Sequence, residues 1–418
     1  MRREIQVDER PPILKSIPLS FQHLFAMFGA TVLVPIYFNV NPATILLFNG
    51  IGTLLYLILC KGKIPAYLGS SFAFISPVVL VLPQYGYEAA LGGFIVVGLI
   101  FTLVALIIKV AGTRWLEIVF PPAAMGAIVT VIGLELAPVA AGMAGLTAEV
   151  IEPQVVIVSL FTLAVTVLGS LVFRGFLAII PILVGVMAGY FLALFWGMVD
   201  LTAIQEAPWL AMPTIYRPTF EWEAIAIIAP AALVVIAEHI GHLVVTSNIV
   251  GKDLSKDPGL HRSLLGNGLS TTLSGFFGST PNTTYGENIG VMAITRVYSV
   301  WVLGGAAIIA IILSFVGKLA VAIQTIPTPV MGGVSLLLFG VIAASGVRML
   351  VETKVDYSKA SNLILTSVVL VIGVSGAQLS WGAFTLKGMA LATVVAIILS
   401  LIFRLLEVKK LTNDSVKE

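Results

Sequence analysis

The sequence predicts an all-α polytopic membrane protein, and three observations carry that expectation. Of 418 residues, 58% are hydrophobic and only 11% charged, with a mean hydropathy of +1.06. A soluble domain carries about 25% charged residues, so no soluble fold of this length could wet its surface with so few. The apolar runs are long and continuous rather than alternating in pieces of about ten residues, which selects helices over a barrel. The basic residues, finally, sort to one side of whatever those runs cross.

Spans of about 20 residues fall near 17–38, 43–60, 65–82, 88–110, 115–137, 154–173 and 175–197. A second set falls near 224–250, 262–278, 281–294, 298–323, 328–347, 360–379 and 384–406. That makes 14 transmembrane helices, the third and tenth being the least regular. With both termini cytoplasmic, the 23 Lys and Arg, from Arg2 and Arg3 to Lys417, lie on inner segments except Arg217, Lys318 and Lys387. This is the positive-inside pattern, and a miscounted helix would have inverted everything downstream of it. The net charge of +2 therefore reports on the bilayer and gives no sign of a nucleic-acid partner. The first apolar run is long enough to stay as a helix, and no cleavage signal is apparent. Cys60 is the only cysteine, which excludes an internal disulfide and a cysteine-cluster metal site.

Two landmarks recurring at nearly the same offset suggest an internal duplication. "FQHLFAMFGATVLVP" in the first span and "AEHIGHLVVTSNIV" in the eighth both carry a polar residue followed by His, Gln22-His23 and Glu238-His239, 216 positions apart. After the first comes "LGSSFAFISP" and after the second "PNTTYGENIG", and aligning Ser70-Ser71-Phe72 with Thr283-Thr284-Tyr285 gives an offset of 213. Seven helices per copy is an odd number, so the second copy would enter the membrane from the opposite side, an inverted repeat. Chance likeness of two short polar islands is the plainer reading. Irregular backbone survives at membrane depth only where protein or a cavity satisfies it. Each island is thus expected to form a short extended piece followed by a half-helix. The two pieces would pair as antiparallel strands in broken helices 3 and 10, aiming helix N-termini at one midplane point.

Ionisable groups inside a membrane are functional candidates by default. Here they are His23, Glu238, His239, His242, Glu287, and Glu135 near a helix end. Glu238 and His242 are four residues apart, so they share a helical face and can hydrogen-bond. A carboxyl taken out of water favours its neutral form, the behaviour a proton carrier needs; a polar clamp between helices is the plainer reading. His239, one step round the helix, suits a packing hydrogen bond better than a site. Gln22 and His23 divide between structure and site, as do Ser71 and Thr284, because lone hydroxyls in membrane helices usually bond their own backbone. Phe72 and Tyr285 occupy matching positions in the two islands, and facing rings could sandwich a flat ligand; plain packing is the alternative. "EHIGH" lacks the order of a zinc-protease helix and no further His or Cys lies nearby, so neither metal nor cofactor is expected. No nucleophile elbow is present, which argues against an enzyme. Gly275, Gly278, Gly332, Gly333, Gly340 and Gly346 read as points of close helix packing.

"ENIGVMAITR", Glu287 to Arg296, resembles the signature of the nucleobase–ascorbate transporter family at Glu287, Asn288, Gly290, Thr295 and Arg296. Gln22-His23 is similar to that family's first-helix pair, and Glu238 to its eighth-helix carboxylate. The resemblance covers essentially the whole chain. It implies 14 helices in two inverted repeats, with a core domain (residues 1–114 and 223–324) and a gate domain (115–222 and 325–418). It also implies a homodimer in the bacterial cytoplasmic membrane, with alternating access by movement of core against gate. The expected activity is proton symport of uracil or a related nucleobase, the proton serving as coupling ion. On this resemblance Glu238 and Glu287 bind the base, Phe72 and Tyr285 contact its ring, Gly286 donates from its backbone, and His242 assists proton coupling. One departure stands out: Phe339 in "LLLFGVIAASG" occupies a position where a gate-domain Tyr is expected.

The chemistry fits without the name. Uracil presents two ring N–H donors and two carbonyl acceptors, for which carboxylates and free helix N–H groups are complementary. Two adjacent anions would repel in a low-dielectric site, so one must be protonated or paired, and that supplies a reason for proton coupling. A purine or xanthine carrier is the alternative within the class; Glu at 287 argues mildly against it. An anion exchanger of the same architecture would want a basic site, and a channel would want a continuous polar stripe.

Overall fold

Prolines, glycines and one asparagine set many of the helix limits. In the computed structural model, which describes residues 4–382 and 384–412, helices Pro42–Leu59, Pro122–Glu135, Pro153–Val172 and Pro181–Phe195 all open on proline. The missing N–H is an orphan at that position anyway. Asn41 caps the first of them, its Oδ1 accepting from the Ala43 N–H at 2.9 Å. Gly251 and Gly278 end helices Ala231–Val250 and Leu260–Phe277 in the left-handed region at φ 72° and 92°, which only glycine enters freely. The described residues contain eight helices long and apolar enough to cross a membrane and three shorter apolar ones, Pro181–Phe195, Val300–Ser314 and Ala360–Val374.

Several expected spans are interrupted. The first divides into Ile13–Ala26 and Phe28–Phe38, and the eighth into Trp222–Ile228 and Ala231–Val250 around Pro230. Ile75–Ala111 is one run broken at Gly86 (φ 77°, ψ 176°), between the spans expected at 65–82 and 88–110. Thr328–Glu352 outruns its expected end at 347, taking Arg348 out of a loop and into an i,i+4 pair with Glu352 at 2.6 Å. The last span needs a correction. Residue 384 does not begin a helix but belongs to a hairpin, Gln378–Trp381 paired with Phe384–Lys387, and the helix starts at Gly388. Its alternating apolar residues turn at Gly382 (φ 62°) and had merged with their helical neighbours in the hydropathy pattern. The predicted inner placements of Arg2, Arg3 and Lys417 lie outside the described residues.

The helices pack in two sets. In one, Leu260–Phe277 lies on Ile75–Ala111 and Pro42–Leu59, and Val300–Ser314 lies on Pro42–Leu59 and Ile13–Ala26. In the other, Thr328–Glu352 packs on Pro122–Glu135 and Pro153–Val172, with Ala360–Val374 and Gly388–Val408 alongside Pro122–Glu135. Ala231–Val250 runs along the seam, touching Pro122–Glu135 and Gly388–Val408. Glycine allows the closest approaches: a Cβ at Gly346 would stand 2.6 Å from the Gly126 carbonyl. Gly340 departs from the expectation, since a Cβ there would meet open space.

Both polar islands form strands. β1 (Leu68–Ser70) pairs antiparallel with β2 (Asn282–Thr284) in the register Leu68↔Thr284, Gly69↔Thr283, Ser70↔Asn282. The ladder extends by the Ser71 N–H donating to the Pro281 carbonyl at 2.9 Å and the Tyr285 N–H to the Tyr67 carbonyl at 3.0 Å. Every residue of both strands is buried. Their backbone is satisfied by protein, as non-helical chain at membrane depth requires.

Candidate functional site

Two threonines clamp the outer edges of the strands. Thr53 Oγ1 accepts from the Leu68 N–H at 2.9 Å and donates to the Leu68 carbonyl at 3.3 Å. Thr271 treats Asn282 the same way, at 3.1 and 3.3 Å. Ser70 and Thr280 join their hydroxyls at 2.6 Å, and Asn282 Nδ2 donates to Ser270 Oγ at 2.6 Å. None of Thr53, Thr271, Thr280 or Asn282 is conspicuous in the sequence, because a lone threonine in an apolar helix usually bonds its own preceding turn.

Beyond the strands the chain turns helical at once. Phe72 begins a short 3₁₀ turn that runs into the helix from Ile75, and Gly286–Thr295 follows Tyr285 directly. The first N–H groups of such helices have no partner within the helix, and both helical segments start directly beyond the paired strands. Tyr285 is buried over Gly69 and its hydroxyl donates to the Ser70 carbonyl at 3.0 Å. Phe72 turns the other way, edge-on to Phe339 with ring centroids 5.8 Å apart at 81°. The two rings thus back the site from different sides. Phe339 itself is buried and offers this site a ring edge in place of a hydroxyl.

Asn288 is buried and its Nδ2 meets the His23 carbonyl at 3.0 Å and His23 Nδ1 at 3.2 Å. His23 therefore ties the first span to the half-helix that carries Glu287. Gln22 is its half-buried neighbour. On Ala231–Val250, Glu238 and His242 lie one turn apart as expected, but among the described residues no hydrogen bond joins them. His242 Nδ1 bonds Thr284 Oγ1 at 3.0 Å instead. His239 points away, to Ser263 at 2.8 Å, and Ser263 bonds Tyr56 at 2.6 Å; this is a packing network.

Exposure separates the remaining groups by role. Glu238, His242 and Glu287 are half-buried and Gly286 is open, whereas His23, Ser71, His239, Tyr285 and Asn288 are buried. Ser71 Oγ is buried without a hydrogen-bond partner in the protein, and the Thr283 hydroxyl lies beside the Glu238 carboxyl. Leaving such an atom unpaired costs about 1–3 kcal/mol, which suits a place for a polar guest beside the strands. A crevice of about 80 Å³ leads away from His242 and Gly286, past Ile289, Gly290 and Met349, to Arg348 and Glu352. Among the described residues no cluster of His, Cys, Asp and Glu could hold a metal ion.

The fold is that of known membrane transporters. The transmembrane domain of a cyanobacterial bicarbonate transporter, BicA, superposes with a TM-score of 0.66 at 14% identity, covering 94% of this chain and 98% of that one. Murine Slc26a9, an anion transporter in the inward-facing state, gives 0.67 at 12% identity over 96% of this chain and 69% of that one. At such identities the likeness is one of fold alone. With a polar, crevice-linked site between broken helices, fold and site define a multi-pass membrane protein. The chain belongs to the nucleobase–ascorbate transporter family, the family model described as "Permease family" matching residues 14–382. It is similar to the uracil permease of Escherichia coli strain K12, at 72% identity over 97% of this chain and 95% of that protein. It is 67% identical to the uracil permease of Paenibacillus larvae over 99% of each chain. It is 48% identical to that of Bacillus subtilis strain 168 over 95% of this chain and 94% of that one.

Proposed function

We propose that this protein imports uracil by proton symport across the bacterial cytoplasmic membrane. Its near full-length identity to proteins named uracil permease supports the substrate. The observation that carries the chemistry is the placing of Glu287 in the first turn of Gly286–Thr295, across from Glu238. Glu287 and Glu238 accept from the two ring N–H groups, the Gly286 backbone N–H donates to a ring carbonyl, and Phe72 covers the ring. Two carboxylates beside one neutral base repel unless one carries a proton. Uptake of that proton on Glu238 favours the loaded site, and its loss toward the crevice through His242 favours release.

In the same proposal the protein has 14 helices in two inverted repeats. The matching clamps of Thr53 on Leu68 and Thr271 on Asn282 and the break at Gly86 support that count. The two packed sets support reading residues 1–114 and 223–324 as core and the remainder as gate. The crevice ends at Arg348 and Glu352, on the side marked cytoplasmic by the basic residues, so the arrangement is inward-facing. A homodimer completes the proposal, tested by the mass of the detergent-solubilised protein.

Uptake of labelled nucleobases into proteoliposomes tests the function. Uracil should accumulate under an acid-outside gradient and stop accumulating when a protonophore collapses it. Accumulation of xanthine or adenine in place of uracil would overturn the substrate, and indifference to the gradient would overturn the coupling.

A further inference from the structure

Glu135 has no part in the site, yet it is a carboxylate at the inner face of the helix set that holds Pro122–Glu135. We propose that its hydrogen bond to Ser76 is the outer gate of the transport cycle, holding the outward path shut here and breaking each time the site opens outward. This rests on the core-and-gate reading above.

The two carboxylate oxygens of Glu135 have different partners. Oε2 accepts from the Met389 N–H at 2.7 Å, at the N-terminus of Gly388–Val408, where the helix dipole favours an anion. A Cβ at Gly388, which holds φ 51°, would collide with that carboxylate. Both ends of this bond belong to the gate, so it does not change when gate and core move. Oε1 accepts from Ser76 Oγ at 2.9 Å. Ser76 stands in the first turn after the Phe72–Phe74 segment, on the core. The carboxylate is thus fixed on one body and reaches across to the other by a single charge-assisted bond, a strong kind.

The space on the two sides of the site agrees. Around Ser76 and Glu135, with Ala73, Pro77, Lys387 and Met389 as neighbours, the free volume is about 20 Å³, and roughly 10–15 Å³ is what one water needs. A nucleobase cannot pass there. On the opposite side the crevice from His242 to Arg348 has about 80 Å³. By the predicted topology Glu135 and Met389 lie at the outer ends of their helices, so the bonded side is the outer one.

The test is external thiol labelling in proteoliposomes. Ala73, buried behind the bond, is changed to Cys, and the parent with Cys60 alone gives the background. An impermeant maleimide then reads how often the outer side opens. Ser76→Ala and Ser76→Val should raise the labelling rate at least about tenfold, the range for one lost charge-assisted hydrogen bond, while Ser76→Thr, which restores a hydroxyl at the size of Val, should label like the parent. Glu135→Ala/Ser76→Ala should label no faster than the faster of Glu135→Ala and Ser76→Ala alone, since both remove the same bond. Equal rates in Val, Thr and parent, with uracil still altering those rates, would overturn the gate while sparing the core-and-gate reading. If uracil leaves the rate in the parent unchanged, that reading fails and the gate with it. Alanine favours helices and the Val–Thr pair is matched in size, so a folding defect confined to one variant leaves the comparison intact.

Discussion

Removing His242 should separate binding from coupling. His242→Ala deletes an imidazole whose Nδ1 bonds Thr284 at 3.0 Å and whose ring borders the crevice beside Gly286. One neutral hydrogen bond is worth about 0.5–1.5 kcal/mol. Even if all of it reached the binding step, the dissociation constant for uracil would rise only about two- to twelvefold. The proposed proton route loses its only imidazole at the crevice, so uptake driven by an acid-outside gradient should fall by far more than binding does. Calorimetry on purified protein gives the first quantity and labelled uptake into proteoliposomes the second. Exchange of labelled for unlabelled uracil, which needs no net proton movement, should survive better than net uptake. Thr284→Val is the control: it breaks the same bond but keeps the ring, and should retain most coupling. If gradient-driven accumulation in His242→Ala matches the parent at equal protein density, the histidine only braces β2 and the proton travels elsewhere.

Three further outcomes follow from the same geometry. Glu287→Gln replaces a pure acceptor by a mixed group and forfeits a charge-assisted bond of about 1.5–3 kcal/mol, so uracil affinity should drop at least about tenfold by calorimetry; unchanged affinity would remove Glu287 from the site. Phe72→Ala should weaken binding by about 1–3 kcal/mol, the range for stacking a base on an aromatic ring, with the protein still monodisperse; aggregation without loss of affinity would mean that the ring only packs on Phe339. Thr271→Val strips the N–H and carbonyl of Asn282 of their clamp at almost constant volume and should destabilise the protein by at least about 1–3 kcal/mol, one buried polar group's worth, visible as a lower Tm in detergent; an unchanged Tm would show that the clamp is redundant.

Much of this arrangement was legible because polar residues are rare in the chain. The islands around Ser70 and Thr283 stood out against apolar sequence, and the need to satisfy their backbone led directly to paired strands, now seen in the register Gly69↔Thr283. Other features were hidden by ordinary rules. Thr102, Thr130, Thr162 and Thr246 each bond the carbonyl four residues back, and nothing in sequence distinguishes them from Thr53 and Thr271, which turn outward to hold a strand. Which of the two a threonine does depends on what the neighbouring chain presents. The expected Glu238–His242 bond failed for a similar reason. A shared helical face makes two side chains available to each other, but a third group, Thr284, took the histidine.

The pairing of the strands also constrains how the site can move. Both half-helix starts are fixed to one another through β1 and β2, and Asn288 binds the second to His23 on the first span. Opening the site by separating these pieces would expose several buried backbone groups at once, each costing about 1–3 kcal/mol. Movement of the whole set as one body against Pro122–Glu135 and Thr328–Glu352 breaks far less. Nearest the strands those helices present Val129, Phe339 and Met349, with Ser345, Arg348 and Glu352 further along the crevice, and apolar contact is non-directional, so that part resists sliding weakly. Against such a surface a single directional bond weighs heavily, and Ser76 with Glu135 supplies one. A carrier built this way keeps its recognition groups rigid and leaves the choice of open side to a few contacts at the rim.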